Sequence, residues 1–259
     1  MPNHFKERLT SGPPQIGSFA SVCAPATAEA MACHGLDFVM VDLEHAPNDI
    51  STLVMLLAAT EAGGAEPIVR APWNDAVWLK RILDAGGRSI MVPFIQTAEE
   101  AARAVAAVRY PPQGVRGVAA MTRASRYGAR PDYMKVANEE TCVIMQIETK
   151  EALSRIDEIA AVPGVDAIFF GPSDLAASLG LIGNPLHADV QGQIAQGFAA
   201  GKRIGAKVGV LGSTPEQCAA FVKQGFDFVI LATDLGIFVR QLKTDIGVME
   251  ASSGWTRRS

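Results

Sequence analysis

Eight short aliphatic or β-branched runs alternate with helix-patterned stretches along the 259 residues, three of them share one opening signature, and no linker divides them. These observations predict a (β/α)8 TIM barrel, an α/β fold, as a single domain over residues 1–259. An open doubly wound sheet is the competing architecture. Length does not separate one domain from two, because α/β barrels reach about 250 residues as one unit.

The strands are read at Ile16–Ala20, Phe38–Asp42, Pro67–Arg70, Ser89–Pro93, Cys142–Ile147, Ala167–Phe170, Lys207–Leu211 and Phe228–Leu231. Gly35-Leu36-Asp37, Gly164-Val165-Asp166 and Gly225-Phe226-Asp227 each open one of them. In each, glycine ends the preceding helix in the left-handed conformation, and a polar residue precedes a run buried on both faces. The turn Ala85-Gly86-Gly87-Arg88 does the same less regularly. Helices are predicted at Asp49–Ala62, Ala76–Asp84, Ala98–Val108, Lys150–Ala160, Ala188–Ala200, Pro215–Gln224 and about Leu235–Glu250.

With 23 Lys and Arg against 27 Asp and Glu, the net charge is −4, and no basic tract offers a footprint for nucleic acid. The exception is a connection of some thirty residues before the fifth strand, which carries Arg109, Arg116, Arg123, Arg126 and Arg130. It reads as solvated decoration, or as a lid or subunit contact. Four cysteines stand far apart without a C-x-x-C pair, so buried reduced thiols are expected rather than a zinc knuckle or disulfide framework. The first ten residues lack an apolar core, and no apolar run reaches about 18 residues, so a cytoplasmic protein without a membrane partner is expected.

Barrel chemistry sits at the carboxyl ends of the strands, so each reactive side chain is tested by where its strand stops. Strand two runs out into Asp42, Glu44 and His45; strand three stops at Arg70; strand five carries Gln146 and Glu148; strand six runs into Ser173 and Asp174. Glu148 and Asp174 end neighbouring strands. Two carboxylates, with other positions left to water and substrate, suit a hard divalent cation, Mg²⁺ or Mn²⁺, with Co²⁺ or Zn²⁺ as further options. The plainer reading makes Asp174 or Ser173 a helix cap and Glu148 a first-turn acid. His45 is placed to move protons near neutral pH. Arg70 suits a carboxylate or a developing enolate oxygen, or else an internal ion pair with a mouth carboxylate. Gln146 shares the parity of Glu148 and reads as a substrate contact.

No lysine stands at an inner strand end for a Schiff base, and no Walker loop, G-x-G-x-x-G or G-x-S-x-G is present. The glycine-containing turn from Gly209 to Thr214 has no following basic residue to favour phosphate.

The segments 42–48, 68–75, 109–117, 146–149 and 171–175, taken together and in order, resemble the HpcH/HpaI aldolase family over roughly residues 15–245. The resemblance implies a class II pyruvate aldolase that reversibly cleaves 4-hydroxy-2-oxo acids to pyruvate, or hydroxypyruvate, and an aldehyde through a metal-stabilised enolate. It further implies a homo-oligomer, a hexamer arranged as a trimer of dimers that exchange their C-terminal helices. Glu148 and Asp174 match the metal ligands, and Arg70 the group that steadies keto acid and enolate. Gln146, Ser173 and Asp174 match substrate contacts, His45 the general base, and Asp84 its carboxylate partner. Asp84 closes a helix, which by topology puts it near the opposite end of its own barrel, so a neighbouring subunit would have to supply it. The rival readings are a metal-dependent lyase or decarboxylase acting on a CoA thioester or oxaloacetate, and a binding barrel with a vestigial site.

Overall fold

Side chains alternate in direction along a strand, and in this chain the alternation sorts every strand residue into the barrel interior or the layer beneath the helices. The computed structural model describes residues 2–256. In chain order the first half comprises α1 His4–Ser11, β1 Gln15–Ala20, α2 Pro25–Cys33, β2 Phe38–Asp42, α3 Ile50–Gly63, β3 Glu66–Arg70, α4 Ala76–Asp84, β4 Ser89–Val92 and α5 Ala98–Val108. The second half comprises α6 Tyr133–Glu140, β5 Cys142–Ile147, α7 Lys150–Leu153, α8 Ile156–Ala160, β6 Ala167–Phe170, α9 Pro172–Ser178, α10 Ala188–Arg203, β7 Val208–Leu211, α11 Pro215–Gln224, β8 Phe228–Thr233 and α12 Asp234–Ser253. All strand pairs are parallel and sequential, and β1 closes on β8. That last pairing makes the (β/α)8 barrel and excludes the open sheet.

Phe38, Met40, Ile68, Met91, Ile144, Phe169, Phe228 and Ile230 fill the interior. Val39, Val41, Val69, Ile90, Val143, Ile168 and Val229 belong to the layer packed against the helices. Two large rings fit inside because glycine faces each: a β-carbon on Gly17 would stand 2.3 Å from the Phe38 ring, and one on Gly209 2.3 Å from the Phe228 ring. The foot of the barrel is closed by Phe5 of α1, edge-on to both rings at 5.4 Å. Asn3 starts this helix by accepting from the Lys6 N–H at 3.0 Å, and its amide donates to Ser89 Oγ and the Glu140 carbonyl, each at 2.9 Å. The same inward parity, carried one step up the strands, brings Asp42, Arg70 and Gln146 to the mouth.

The repeated opening signature has a structural role beyond its glycine. Asp37, Asp166 and Asp227 each accept an N–H from the first or second residue of the preceding strand, Ile16, Val143 and Val208, at 2.9, 2.8 and 2.8 Å. Gly35, Gly164 and Gly225 take φ values of 91°, 96° and 96°, as their place after a helix requires.

Several expectations are corrected. The helix read at 150–160 is two short ones, because Ser154 Oγ turns back onto the Glu151 carbonyl at 2.7 Å. Helices α1, α2, α6 and α9 also form. The arginine-bearing connection is no uniform decoration, since Arg109 and Arg116 are buried. Arg109 donates to the Asn138 and Thr141 carbonyls, and Arg116 lies 4.4 Å over the Tyr110 ring. Cys142 and Cys218 are buried thiols, but Cys23 is partly exposed and Cys33 exposed. No helix among the described residues is long and apolar enough to cross a membrane.

Candidate active site

At the carboxyl end of the strands lies a cavity of about 240 Å³, lined among others by Phe19, Asp42, His45, Arg70, Gln146, Gly171, Ser173 and Asp174. Five sequence-predicted residues therefore meet there: His45, Arg70, Gln146, Ser173 and Asp174. Glu148 is buried at the wall, in contact range of Gly171. Asp84 is elsewhere. It ends α4, on the side where helices return to strand starts, and its Oδ1 accepts from Arg116 Nη2 at 2.7 Å.

Arg70 is held from three sides. Its Nε and Nη2 donate to the two oxygens of Asp42 at 2.9 and 2.7 Å, Nη1 stands 3.0 Å from Glu44 Oε2, and the guanidinium lies 4.5 Å over the Phe19 ring. The internal ion pair and a ligand role are compatible, because hydrogen bonds to Asp42 take two of the five guanidinium N–H groups and Glu44 is met as an ion pair only. His45 is exposed at the rim, its Nε2 3.7 Å from Glu44 Oε2.

Glu148 is positioned by main chain as much as by side chain. Phe94, at φ 55°, turns its N–H onto Glu148 Oε1 at 2.9 Å, and Gln146 Nε2 donates to Oε2. A non-glycine residue in the left-handed region costs on the order of 1 kcal/mol and persists where its surroundings impose it. Gly171 leaves room: a β-carbon there would come within 2.6 Å of Glu148 Oε2 and 3.0 Å of Gln146 Nε2.

Asp42 and Glu44 contact the guanidinium of Arg70, while Asp174 stands near enough to Glu44 and Glu148 to raise both. Burial, with Asp174 and Glu44 adding to it, pushes Glu148 up to about 7. Glu44 also rises to about 7, through burial and against the opposing pull of Arg70, with Asp42 and Asp174 contributing. Among the described residues no three His, Cys, Asp or Glu side chains form a closed metal cage. The donor set fits an open hard-cation site, to which Glu148 and Asp174 could each supply a carboxylate oxygen.

The sequence placed Asp42 and Glu44 at the mouth without naming either as the partner of Arg70, and it missed Phe19 and the Phe94 N–H as parts of the site. Asp42 was signalled by its parity with Phe38 and Met40 and by its place opposite Arg70 on the neighbouring strand. A main-chain donor such as Phe94 leaves no side-chain signal.

Barrel and mouth together define an enzyme of the carbon–carbon lyase class, as its relatives are named. The chain belongs to the HpcH/HpaI aldolase/citrate lyase family, whose model matches residues 15–240. It is 46% identical over 224 residues to the 2-dehydro-3,6-dideoxy-6-sulfogluconate aldolase of Pseudomonas putida, covering 86% of this chain and 88% of that one. It is 44% identical over 237 residues to a 5-keto-4-deoxy-D-glucarate aldolase of Salmonella paratyphi A, covering 92% and 93%. A crystal structure of a family member from Burkholderia cenocepacia superimposes with a TM-score of 0.92 at 38% identity, covering 96% of this chain and 99% of that one.

Proposed function

We propose that this enzyme makes and breaks the C3–C4 bond of 4-hydroxy-2-oxo acids derived from sugars, with pyruvate or hydroxypyruvate and an aldehyde as the other side of the equilibrium. One observation carries the reading: Asp174 shares a cavity with a guanidinium fixed by Asp42 and Glu44, and Glu148, buried in the wall behind Gly171, feels the charge of Asp174. The names of the relatives, both aldolases of keto-deoxy sugar acids, support the substrate class.

Glu148 and Asp174 would hold a divalent cation, Mg²⁺ or Mn²⁺ before Co²⁺ or Zn²⁺, which would supply Lewis-acid polarisation of the keto acid. Arg70 offers N–H groups not taken by Asp42 to the C2 oxygen as that oxygen gains charge. Gln146 Oε1 is buried without a partner, so it awaits a donor from ligand or water. The backbone N–H groups at Ser173 and Asp174 open α9 and face the keto-acid carboxylate. His45 moves the proton at C3, or at the C4 hydroxyl in the cleavage direction, through a water.

Asp84 of the partner subunit is the carboxylate that orients His45. Within one chain only its Oδ1 is used by Arg116, and the side chain keeps 24% exposure. The assembly that brings it there is a hexamer, a trimer of dimers joined through α12, a twenty-residue helix in which Asp234 alone is buried while Leu235, Phe238, Leu242, Val248 and Met249 are exposed. Four free thiols fit a reducing cytoplasm.

Exchange of the pyruvate methyl protons in deuterated buffer, with Mg²⁺ or Mn²⁺, tests the enolate step without knowledge of the aldehyde. Aldehydes offered with pyruvate or hydroxypyruvate then identify the acceptor. Protein that binds pyruvate but exchanges no proton would overturn the proposal.

A further inference from the structure

A second cavity, of about 210 Å³, lies at the other end of the barrel, where Glu61 stands in the last turn of α3 and the turn Gly86-Gly87-Arg88 leads into β4. Its lining carries four guanidinium groups, Arg88, Arg123, Arg126 and Arg130, against two carboxylates, Glu61 and Glu140. Glu61 is shared: Arg88 Nη2 stands 3.3 Å from Oε1 and Arg123 Nη2 2.8 Å from Oε2. Glu140 is gripped by Arg130 at 2.5 and 2.8 Å. Glu66 and Asp132 reach Arg88 and Arg130 from outside the lining, at 3.3 and 3.5 Å.

After that accounting the pocket still has more donors than acceptors. Arg88 Nε is buried and finds no acceptor. The exposed Arg126 makes no side-chain ion pair or hydrogen bond among the described residues; its main-chain N–H donates to the Arg123 carbonyl and its own carbonyl accepts from the Ala129 N–H. A buried N–H left unpaired loses its hydration without compensation, so an acceptor belongs beside it.

The backbone is shaped for the same purpose. Arg126 and Tyr127 are consecutive non-glycine residues in the left-handed region, at φ 52° and 55°, which sets both on the cavity wall. Gly86, at φ 103°, lets Arg123 come in close: a β-carbon there would meet its Nη1 at 2.5 Å. Planar forks converging on a donor-rich hollow match an oxyanion with several acceptor oxygens.

We infer that this cavity, at the barrel end opposite the mouth, binds a small oxyanion, the phosphate or carboxylate group of a metabolite, through Arg88, Arg123 and Arg126. The site uses none of the residues that line the mouth of its own barrel, and it stands whether or not the aldolase reading does.

Titration calorimetry of the intact protein with inorganic phosphate, and separately with succinate, tests it. Saturable binding of at least one anion is expected, and the tighter of the two identifies the group. Arg126→Gln should weaken binding about tenfold or more, as loss of a charge-assisted hydrogen bond does. Arg203→Gln, which removes the same charge from an exposed pair with Asp157, should leave affinity unchanged. Arg70→Ala should also retain binding. Absence of saturable binding, binding indifferent to Arg126→Gln, or binding lost in Arg70→Ala would each overturn the inference.

Discussion

Asp42 and Arg70 are register partners on β2 and β3, and the carboxylate of one takes two N–H groups of the other at 2.9 and 2.7 Å. Both side chains are almost wholly buried, at 5% and 10% exposure, so this fork decides where the guanidinium points. Asp42→Ala should destabilise the protein by about 3–5 kcal/mol in urea unfolding, the usual cost of leaving a buried charge with its main partner removed. Arg70→Ala should lower kcat/KM by about 10²–10³-fold if its loss resembles that of an oxyanion donor. Near-wild-type turnover in Arg70→Ala would remove it from the chemistry.

The raised carboxylates set a pH dependence whose sign is fixed. Glu148 and Glu44 both titrate near about 7 in the folded state, against an ordinary value of 4.5. Between those limits the folded protein holds protons that the unfolded chain has released, so stability without metal is full below the lower limit and falls as pH rises through the upper one. A cation competes with those protons, so Mn²⁺ affinity should climb from pH 5.5 to about 7 and then level. Calorimetric titrations across that range check this, and Glu148→Gln should abolish both binding and turnover.

Gly171→Ala probes the same pair without removing a ligand. At φ −96° the backbone accepts alanine, but the new methyl would press on Glu148 Oε2. Melting temperature should hardly move, whereas Mn²⁺ affinity should drop. Unchanged affinity would show that Glu148 does not hold the ion in this position.

Asp84 and His45 offer a complementation experiment. If the pair forms across subunits, His45→Ala and Asp84→Asn are each impaired alone, but mixed oligomers contain some sites with both wild-type groups. Co-expressed variants should recover part of the activity. Mixtures no more active than the average of their parents would confine Asp84 to its role as anchor of Arg116.

Phe5→Ala tests the plug at the foot. The ring is fully buried between Phe38 and Phe228, and deleting it should cost about 3–5 kcal/mol in urea unfolding. Turnover of the folded fraction should stay at the wild-type level, because the mouth lies at the other end.

The strands were legible because runs buried on both faces admit few other readings, and the carboxylates of the mouth because they follow strands that must be neighbours. What escaped did so for identifiable reasons. Helix α1 buries only Phe5 and Leu9, too few to trace an apolar stripe. Arg109 and Arg116 are cations, which ordinarily stay at the surface, and the carbonyls and Asp84 that draw them inside are remote in sequence. The three opening aspartates were seen as a pattern, but their function as staples depends on which strand lies alongside.

The Gly17–Phe38 and Gly209–Phe228 fits tie residues on adjacent strands into couples that can change only together. An alanine at either glycine overfills the barrel unless the opposing ring shrinks in the same step, and a smaller ring alone leaves a void. Drift at these four positions should therefore proceed by paired replacements, and a library meant to reshape the interior would do well to randomise each couple as one unit.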